Sequence, residues 1–223
     1  MRLMKLVLII MMILPINALA GDAGNDLSRF SNKKQIPKAI ENNVLIALSH
    51  YPELEHVPIK FIFKKNINGS VMQAQPVLKS IFKKRKERSY QVNISALLKL
   101  THSAVPIHQL PDNIMIGWIG HELGHIMDYE QRSKLGLVRF GLSYVFSKSY
   151  RKQGELMADT YAVNSGLADY ILETKRFILD HAELPQAYKD KIERIYLSPD
   201  EIVAQVIKLE EKKLKEQKEA LGQ

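Results

Sequence analysis

The sequence predicts an α+β protein in which a small, mostly antiparallel sheet precedes a helical C-terminal part. Two observations carry this prediction. Before residue 100, apolar and polar residues alternate in short runs, as expected of half-buried strands. From Pro111 onward, apolar residues recur at the three- and four-residue spacing of helices. With 46% hydrophobic and 25% charged residues, the chain of 223 residues has an ordinary globular composition and is long enough for one domain.

The N-terminal half is predicted to contain one helix and two or three strands. Pro37 can open a helix, because proline is tolerated in the first helical turn, and apolar residues at helical spacing follow it. Strands are expected at 59–63 and, after the turn signal Asn68-Gly69, at 71–78. The clearest alternation predicts a strand at 90–94.

In the C-terminal half, all the predicted elements are helices. The first helix begins at Pro111-Asp112-Asn113 and is apolar over most of its surface, so it should be buried. Further helices are expected at 149–164, 167–181 and 185–196. A last helix opens at 198–201, with acidic residues in its first turn, and carries apolar residues on one stripe.

The first twenty residues have the three parts of a signal peptide. Arg2 and Lys5 give a positive start, residues 6–14 are continuously apolar, and Ala18-Leu19-Ala20 gives small residues before a cut ahead of Gly21. The apolar run is shorter than the roughly 20 residues that a membrane span needs, although an uncleaved anchor is the alternative. In either case we expect an exported protein, periplasmic or extracellular, with membrane association only through an uncleaved N-terminal segment.

These features divide the chain into four predicted parts. Residues 1–20 are the signal peptide and 21–36 a mobile lead-in. Residues 37–200 form the main domain, and 201–223 form a C-terminal amphipathic helix.

Composition excludes several kinds of site. The chain has no cysteine, so it has no disulfide, no cysteine nucleophile and no thiolate ligand, and any metal must be held by histidine and carboxylate. A net charge of +8 could favour anionic membranes, nucleic acid or acidic peptides. The simpler interpretation is lysine scattered over solvated helix faces. The basic runs 83–86 and 212–215 have no interleaved aromatic residues, so we expect no nucleic-acid partner.

Residues 121–125 read His-Glu-Leu-Gly-His. On a helix, His121 and His125 project from one face and can both reach one zinc ion. Glu122 lies roughly 100° around the helix axis, where it can act as the general base that takes a proton from metal-bound water. Two hydrogen-bonded histidines without a metal are the alternative. However, three polar residues in one turn of an otherwise apolar helix need a compensating partner, and a divalent metal is the simplest one.

A third ligand is expected on the second predicted helix. Glu155 and Asp159 lie one turn apart there, on one face. Glu155 can complete three protein ligands and leave a fourth position open, as a catalytic zinc requires. Asp159 can accept a hydrogen bond from the free ring nitrogen of His121 or His125. Two histidines and one glutamate suit zinc best, so we expect one Zn²⁺ per chain.

The pattern His121-Glu122-Leu-Gly-His125, followed by Glu155-Leu-Met-Ala-Asp159, resembles the gluzincin zinc metallopeptidases. The compact form is similar to the minigluzincins and to the catalytic core of the CAAX-prenyl-endopeptidase-like branch, over roughly residues 88–166. No later stretch of this sequence is apolar enough to correspond to the membrane helices of that branch.

The resemblance implies a zincin-like core made of an edge strand, a zinc-binding helix and a glutamate helix. It implies His121, His125 and Glu155 as ligands, Glu122 as base and Asp159 as their support. It further implies that the strand carrying Tyr90, Val92 and Ile94 is the edge along which an extended peptide substrate lies.

The sequence therefore predicts an exported zinc endopeptidase that acts on peptide or protein substrates, with 37–200 as the metallopeptidase domain. A second group that stabilises the oxyanion is expected. Its identity stays open among four candidates, which are His181, Tyr129, Tyr161 and Tyr196. Four further histidines are expected to be ordinary surface residues, namely His50, His56, His102 and His108.

Two other functions are compatible with the sequence. The first is a zinc-bearing envelope protein without catalysis, with a binding or assembly role, although the intact Glu122 argues against it. The second is a peptidase kept latent by residues 22–60 or by the C-terminal helix lying over the cleft.

Overall fold

The computed structural model describes residues 27–65, 67 and 69–220, and over these ranges it confirms an α+β fold. The N-terminal part contains β1 (Lys34–Gln35), α1 (Glu41–Ser49), β2 (Ile59–Lys64), β3 (Met72–Pro76), α2 (Leu78–Ile81), β4 (Tyr90–Ser95), β5 (Leu97–Lys99) and β6 (Ala104–Pro106). The C-terminal part contains α3 (Asp112–Gln131), α4 (Lys134–Phe146), α5 (Lys148–Ala162), α6 (Ala168–Asp180), α7 (Gln186–Ile195) and α8 (Pro199–Ala220). The predicted signal peptide lies outside the described residues.

The main sheet is mixed, which corrects the expectation of a mostly antiparallel one. Its strand order is β1-β2-β4-β3, and β5 and β6 form a separate antiparallel pair. The β1–β2 and β2–β4 pairings are parallel, and only β3 runs antiparallel to its neighbour β4. The chain between β2 and β4 contains β3 and α2, so it is long enough for the crossover that a parallel pair requires.

Strand β4 lies in the interior of this sheet and not at its edge. Tyr90, Val92 and Ile94 are fully buried, and Asn93 and Ser95 on the opposite face are buried too. Because β2 and β3 pair with β4 on both sides, its backbone offers no free edge to a substrate. The edge strand beside α3 is β3.

Helix α3 is the centre of the fold. Sixteen of its 20 residues are buried, and it packs on α1, β3, α5 and α6. Gly124 lets α5 approach closely, because a Cβ atom there would lie 2.4 Å from the carbonyl oxygen of Ala158. The backbones of α3 and α5 are therefore in contact one turn from Glu155, which fixes the position of that carboxylate relative to α3.

Most predicted helices are present, within a few residues of the expected ends. Helix α4 was not predicted. It is apolar on two faces, so its sequence lacks the single apolar stripe that marks an amphipathic helix.

The N-terminal end of the described chain belongs to the fold. Phe30 is buried in the core and β1 pairs with β2, so residues 27–35 differ from the mobile lead-in that we expected. Within the described ranges, no helix combines the length and the apolar character that crossing a bilayer would need.

Candidate metal centre

Two helices bring three potential metal ligands together. His121 and His125 lie one turn apart on α3, and Glu155 faces them from α5. Their ligand atoms all lie within 4.8 Å of one another. The Nε2 atoms of His121 and His125 are 3.1 and 3.4 Å from the same carboxylate oxygen, Oε2 of Glu155. All three side chains are buried.

Asp159 supports His121 from the side opposite Glu155. Its Oδ1 atom lies 2.7 Å from Nδ1 of His121. Its Oδ2 atom accepts hydrogen bonds from Nζ of Lys175 at 2.9 Å and from the backbone N–H of Leu197 at 3.0 Å. This arrangement keeps a proton on Nδ1 and turns Nε2 of His121 toward Glu155.

Tyr144 also supports Glu155, although it was not among the residues predicted for the site. Its hydroxyl donates to Oε1 of Glu155, so that Oε2 alone faces the two imidazoles. Tyr144 lies on α4, where Leu137 and Phe140 precede it at helical spacing and are buried. That spacing is the signal that would have placed Tyr144 on an inward face.

The buried charges determine the protonation of the site. Burial disfavours an imidazolium, but the carboxylates of Asp159 and Glu155 outweigh it and raise the pKa of His121 to about 10. Burial also disfavours the Glu155 carboxylate, yet His125 and His121 hold its pKa well below the usual range. The pKa of Asp159 is lowered in the same way, because Lys175 and His121 outweigh its burial.

Glu122 lies beside the three ligands without belonging to them. Its Oε2 atom accepts the backbone N–H of Ala74 in β3 at 2.5 Å. Burial is the largest influence on this carboxyl group and raises its pKa above the usual 4.5. A carboxylate with a raised pKa is a better proton acceptor than an exposed one.

A cleft of about 870 Å³ opens over the centre. Strand β3 forms one wall and α4 forms the other, and Glu122, His125 and Glu155 lie at its surface. Its lining residues all fall between 69 and 196, so no described residue of 27–60 and no residue of α8 covers it.

The structure separates the four candidates for stabilising the oxyanion. Tyr129 and Tyr196 line the cleft, whereas Tyr161 and His181 do not. The Tyr129 hydroxyl donates to the carbonyl of Ala74 at 3.4 Å. The ring of Tyr196 lies 5.3 Å from that of His121.

The other histidines lie apart from the site. His56, His102 and His108 are exposed, as expected. His50 is half-buried and its Nδ1 atom lies 3.0 Å from the carbonyl oxygen of Ser165, which differs from the expected surface position.

The donor set fits a divalent metal. Two imidazole nitrogens and a carboxylate oxygen converge in a buried space, and a proton or a cation is required between them. The basic side chain of Lys175 cannot fill this role, because it is paired with Asp159 on the far side of His121. Two nitrogen ligands and one carboxylate oxygen suit zinc.

Comparison of the chain with models of protein families, with curated proteins and with solved structures gives no match.

Proposed function

We propose that the protein is an exported zinc-dependent endopeptidase with a zincin-like core. His121, His125 and Glu155 would hold the ion, and Glu122 would be the general base. The observation that carries the proposal is the position of Glu122. It is a buried carboxylate with a raised pKa, next to three converging ligands and open to a large cleft. A structural metal site needs neither a neighbouring base nor a cleft.

Each residue of the site would have a separate role in hydrolysis. Zinc, when bound, supplies a Lewis acid that polarises the peptide carbonyl and makes water more acidic. Glu122 accepts the proton of the attacking water and passes it to the leaving amine. The N–H of Ala74 orients Glu122 from β3, and Asp159 and Tyr144 orient His121 and Glu155. Tyr196, at the cleft surface beside His121, is the preferred donor to the oxyanion.

The substrate would lie along β3. This strand is an edge of the sheet and forms a wall of the cleft. The N–H and carbonyl of Ala74 already bond Glu122 and Tyr129, so a peptide would pair with the other backbone groups of β3. Extended peptides bind such edges through backbone hydrogen bonds, which recognise a chain without requiring its terminus. This geometry favours an endopeptidase acting on unfolded protein segments.

Cleavage of an unfolded protein by the zinc-loaded chain tests the proposal. We expect the native protein to cleave it, Glu122→Gln to lose at least about 100-fold in rate because the base is gone, and both to bind zinc equally. Glu210→Gln, on the exposed side of α8, is the matched control and should retain full activity. Zinc binding without cleavage by the native protein would instead support the envelope protein without catalysis.

A further inference from the structure

Helix α4 exposes an apolar stripe that no described residue covers. Five of its side chains fall within an arc of about 100° on the helix surface. They are Leu135, Val138, Leu142, Val145 and Phe146. Leu135 and Phe146 are 80% and 83% exposed. The opposite face of the helix, with Leu137 and Phe140, is buried against the fold.

The stripe continues across the mouth of the cleft. Leu78 in α2 is 77% exposed and lines the cleft together with Val138 and Leu142. Phe82 directly follows α2 and is 68% exposed. We call these seven side chains, on α4 and on 78–82, the rim. They are seven of the twelve large hydrophobic side chains that are exposed in the described part of the chain.

An excess of positive charge falls in the two chain segments that carry the rim or directly follow it. Residues 78–86 and 134–153 together contain ten Lys or Arg and no Asp or Glu. The whole chain has a net charge of +8, so everything outside these two segments carries 8 − 10 = −2. The lysines are therefore not scattered evenly over helix faces, as the composition alone suggested.

We propose that the rim docks the protein on the surface of an anionic lipid bilayer. Exposed apolar side chains flanked by lysine and arginine are the two features that bind such a surface. A second copy of this chain fits poorly, because two rims facing each other would bring twenty positive charges together. A peptide in the cleft would not cover Phe82, Leu135 or Phe146, which do not line it.

Docking through the rim would turn the mouth of the cleft toward the bilayer. Where the proposed peptidase activity also holds, its substrates would then be chain segments close to a membrane surface. The docking itself does not require the metal site, so Glu122→Gln and metal-free protein should bind vesicles like the native protein. Failure of either proposal can thus be distinguished from failure of the other.

A tryptophan reporter in the full chain tests the docking. The chain has a single tryptophan, Trp118, which is buried, so Phe146→Trp adds a signal from the rim. Vesicles of phosphatidylcholine with phosphatidylglycerol, carrying brominated acyl chains, should quench this signal and shift it to the blue. Leu214→Trp, 53% exposed on α8, is the matched control and should not be quenched. Both variants contain the same N-terminal segment. Binding through that segment therefore cannot explain a difference in quenching between them.

Charge removal gives the second measurement, made in the Phe146→Trp background. Lys83→Gln with Lys84→Gln should raise the lipid concentration needed for quenching about 30-fold, since each lysine near an anionic surface contributes about fivefold. Lys212→Gln with Lys213→Gln, on α8, should leave it unchanged. Vesicle binding without quenching at position 146 would overturn the proposal, as would self-association that rim variants abolish in the absence of lipid.

Discussion

At the scale of single residues, the candidate site is built from pairs in which one side chain positions another. Asp159 is fully buried and has three partners, which are His121, Lys175 and the backbone of Leu197. Lys175 in turn lies 4.0 Å above the ring of Tyr196. The candidate metal ligands are therefore held by a network that reaches the wall of the cleft, and each pair predicts a measurable effect.

Zinc binding should release about one proton from His121 at neutral pH. With a pKa of about 10, this imidazole is protonated in the metal-free protein, whereas a metal ligand must be neutral. Protons thus compete with the metal, and the apparent zinc affinity should fall about tenfold for each unit of decreasing pH near neutrality. Calorimetry in two buffers of different ionisation enthalpy measures the release. Heats of binding that do not depend on the buffer would contradict the assigned protonation.

Removing the Tyr144 hydroxyl should weaken zinc binding while the fold remains intact. Tyr144→Phe deletes the hydrogen bond to Oε1 of Glu155, and losing such a support typically costs about 10–100-fold in metal affinity. Competition with a chromogenic chelator measures this. Tyr161→Phe is the matched control, since Tyr161 does not line the cleft, and should bind zinc like the native protein. Equal affinities for the two variants would exclude a role for Tyr144.

The sequence predicted one part of the site and not the other. His121, Glu122, His125, Glu155 and Asp159 were identifiable because each lies at helical spacing from a partner, so local geometry brings them together. Tyr144 and Lys175 act across helices, and no spacing in the sequence connects them with Glu155 or Asp159. Such contacts depend on how α4 and α6 pack, which only the structure shows.

At the scale of elements, the site depends on the close approach of α3 and α5. Gly124→Ala should destabilise the protein by about 1–3 kcal/mol and weaken zinc binding, because the new methyl group would push on the Ala158 carbonyl and move Glu155. Gly141→Ala is the control, since a Cβ there meets nothing within 4 Å and alanine should stabilise α4 by up to about 1 kcal/mol. Urea unfolding with and without zinc measures both effects. If Gly124→Ala left both the stability and the zinc affinity unchanged, this close packing of α3 and α5 would be contradicted.

The strands show where sequence patterns stop being informative. Alternation located β2, β3 and β4 within a few residues, because it reports which side chains face the core. It did not give their order, because pairing partners are far apart in the chain. The family resemblance implied a substrate edge at β4, and no alternation pattern in the sequence could correct this, whereas the edge strand beside α3 is β3. Pro76 at the end of β3 is the local sign of an edge strand, because proline cannot donate a hydrogen bond to a neighbouring strand.

At the scale of the whole molecule, metal binding should stabilise the entire fold. Glu155, Asp159 and His121 are buried charges between the central helices, and an ion that binds only the folded chain stabilises it by about 2.7 kcal/mol at 100 times its Kd. For a chain of this size, that corresponds to a rise in Tm of about 5–10 °C. Differential scanning calorimetry with zinc and with a chelator measures it. Glu122→Gln should show the same rise, and His125→Ala should show none.

The distribution of charge over the whole molecule follows the position of the cleft. The cleft lies between β3 and α4, and the basic segments 78–86 and 134–153 follow these same two walls. The two walls of the cleft thus carry exposed apolar side chains and lie in segments rich in lysine and arginine. Neither feature was visible from net charge, which sums over the whole sequence.

Zinc content measured by mass spectrometry on the purified native chain and on His125→Ala tests the central claim most directly. The arrangement of His121, His125 and Glu155 predicts about one zinc per native chain and almost none in the variant, because two ligands do not hold the ion tightly. The absence of zinc from the native chain after reconstitution, or its undiminished retention in His125→Ala, would show that these three residues do not form the metal centre.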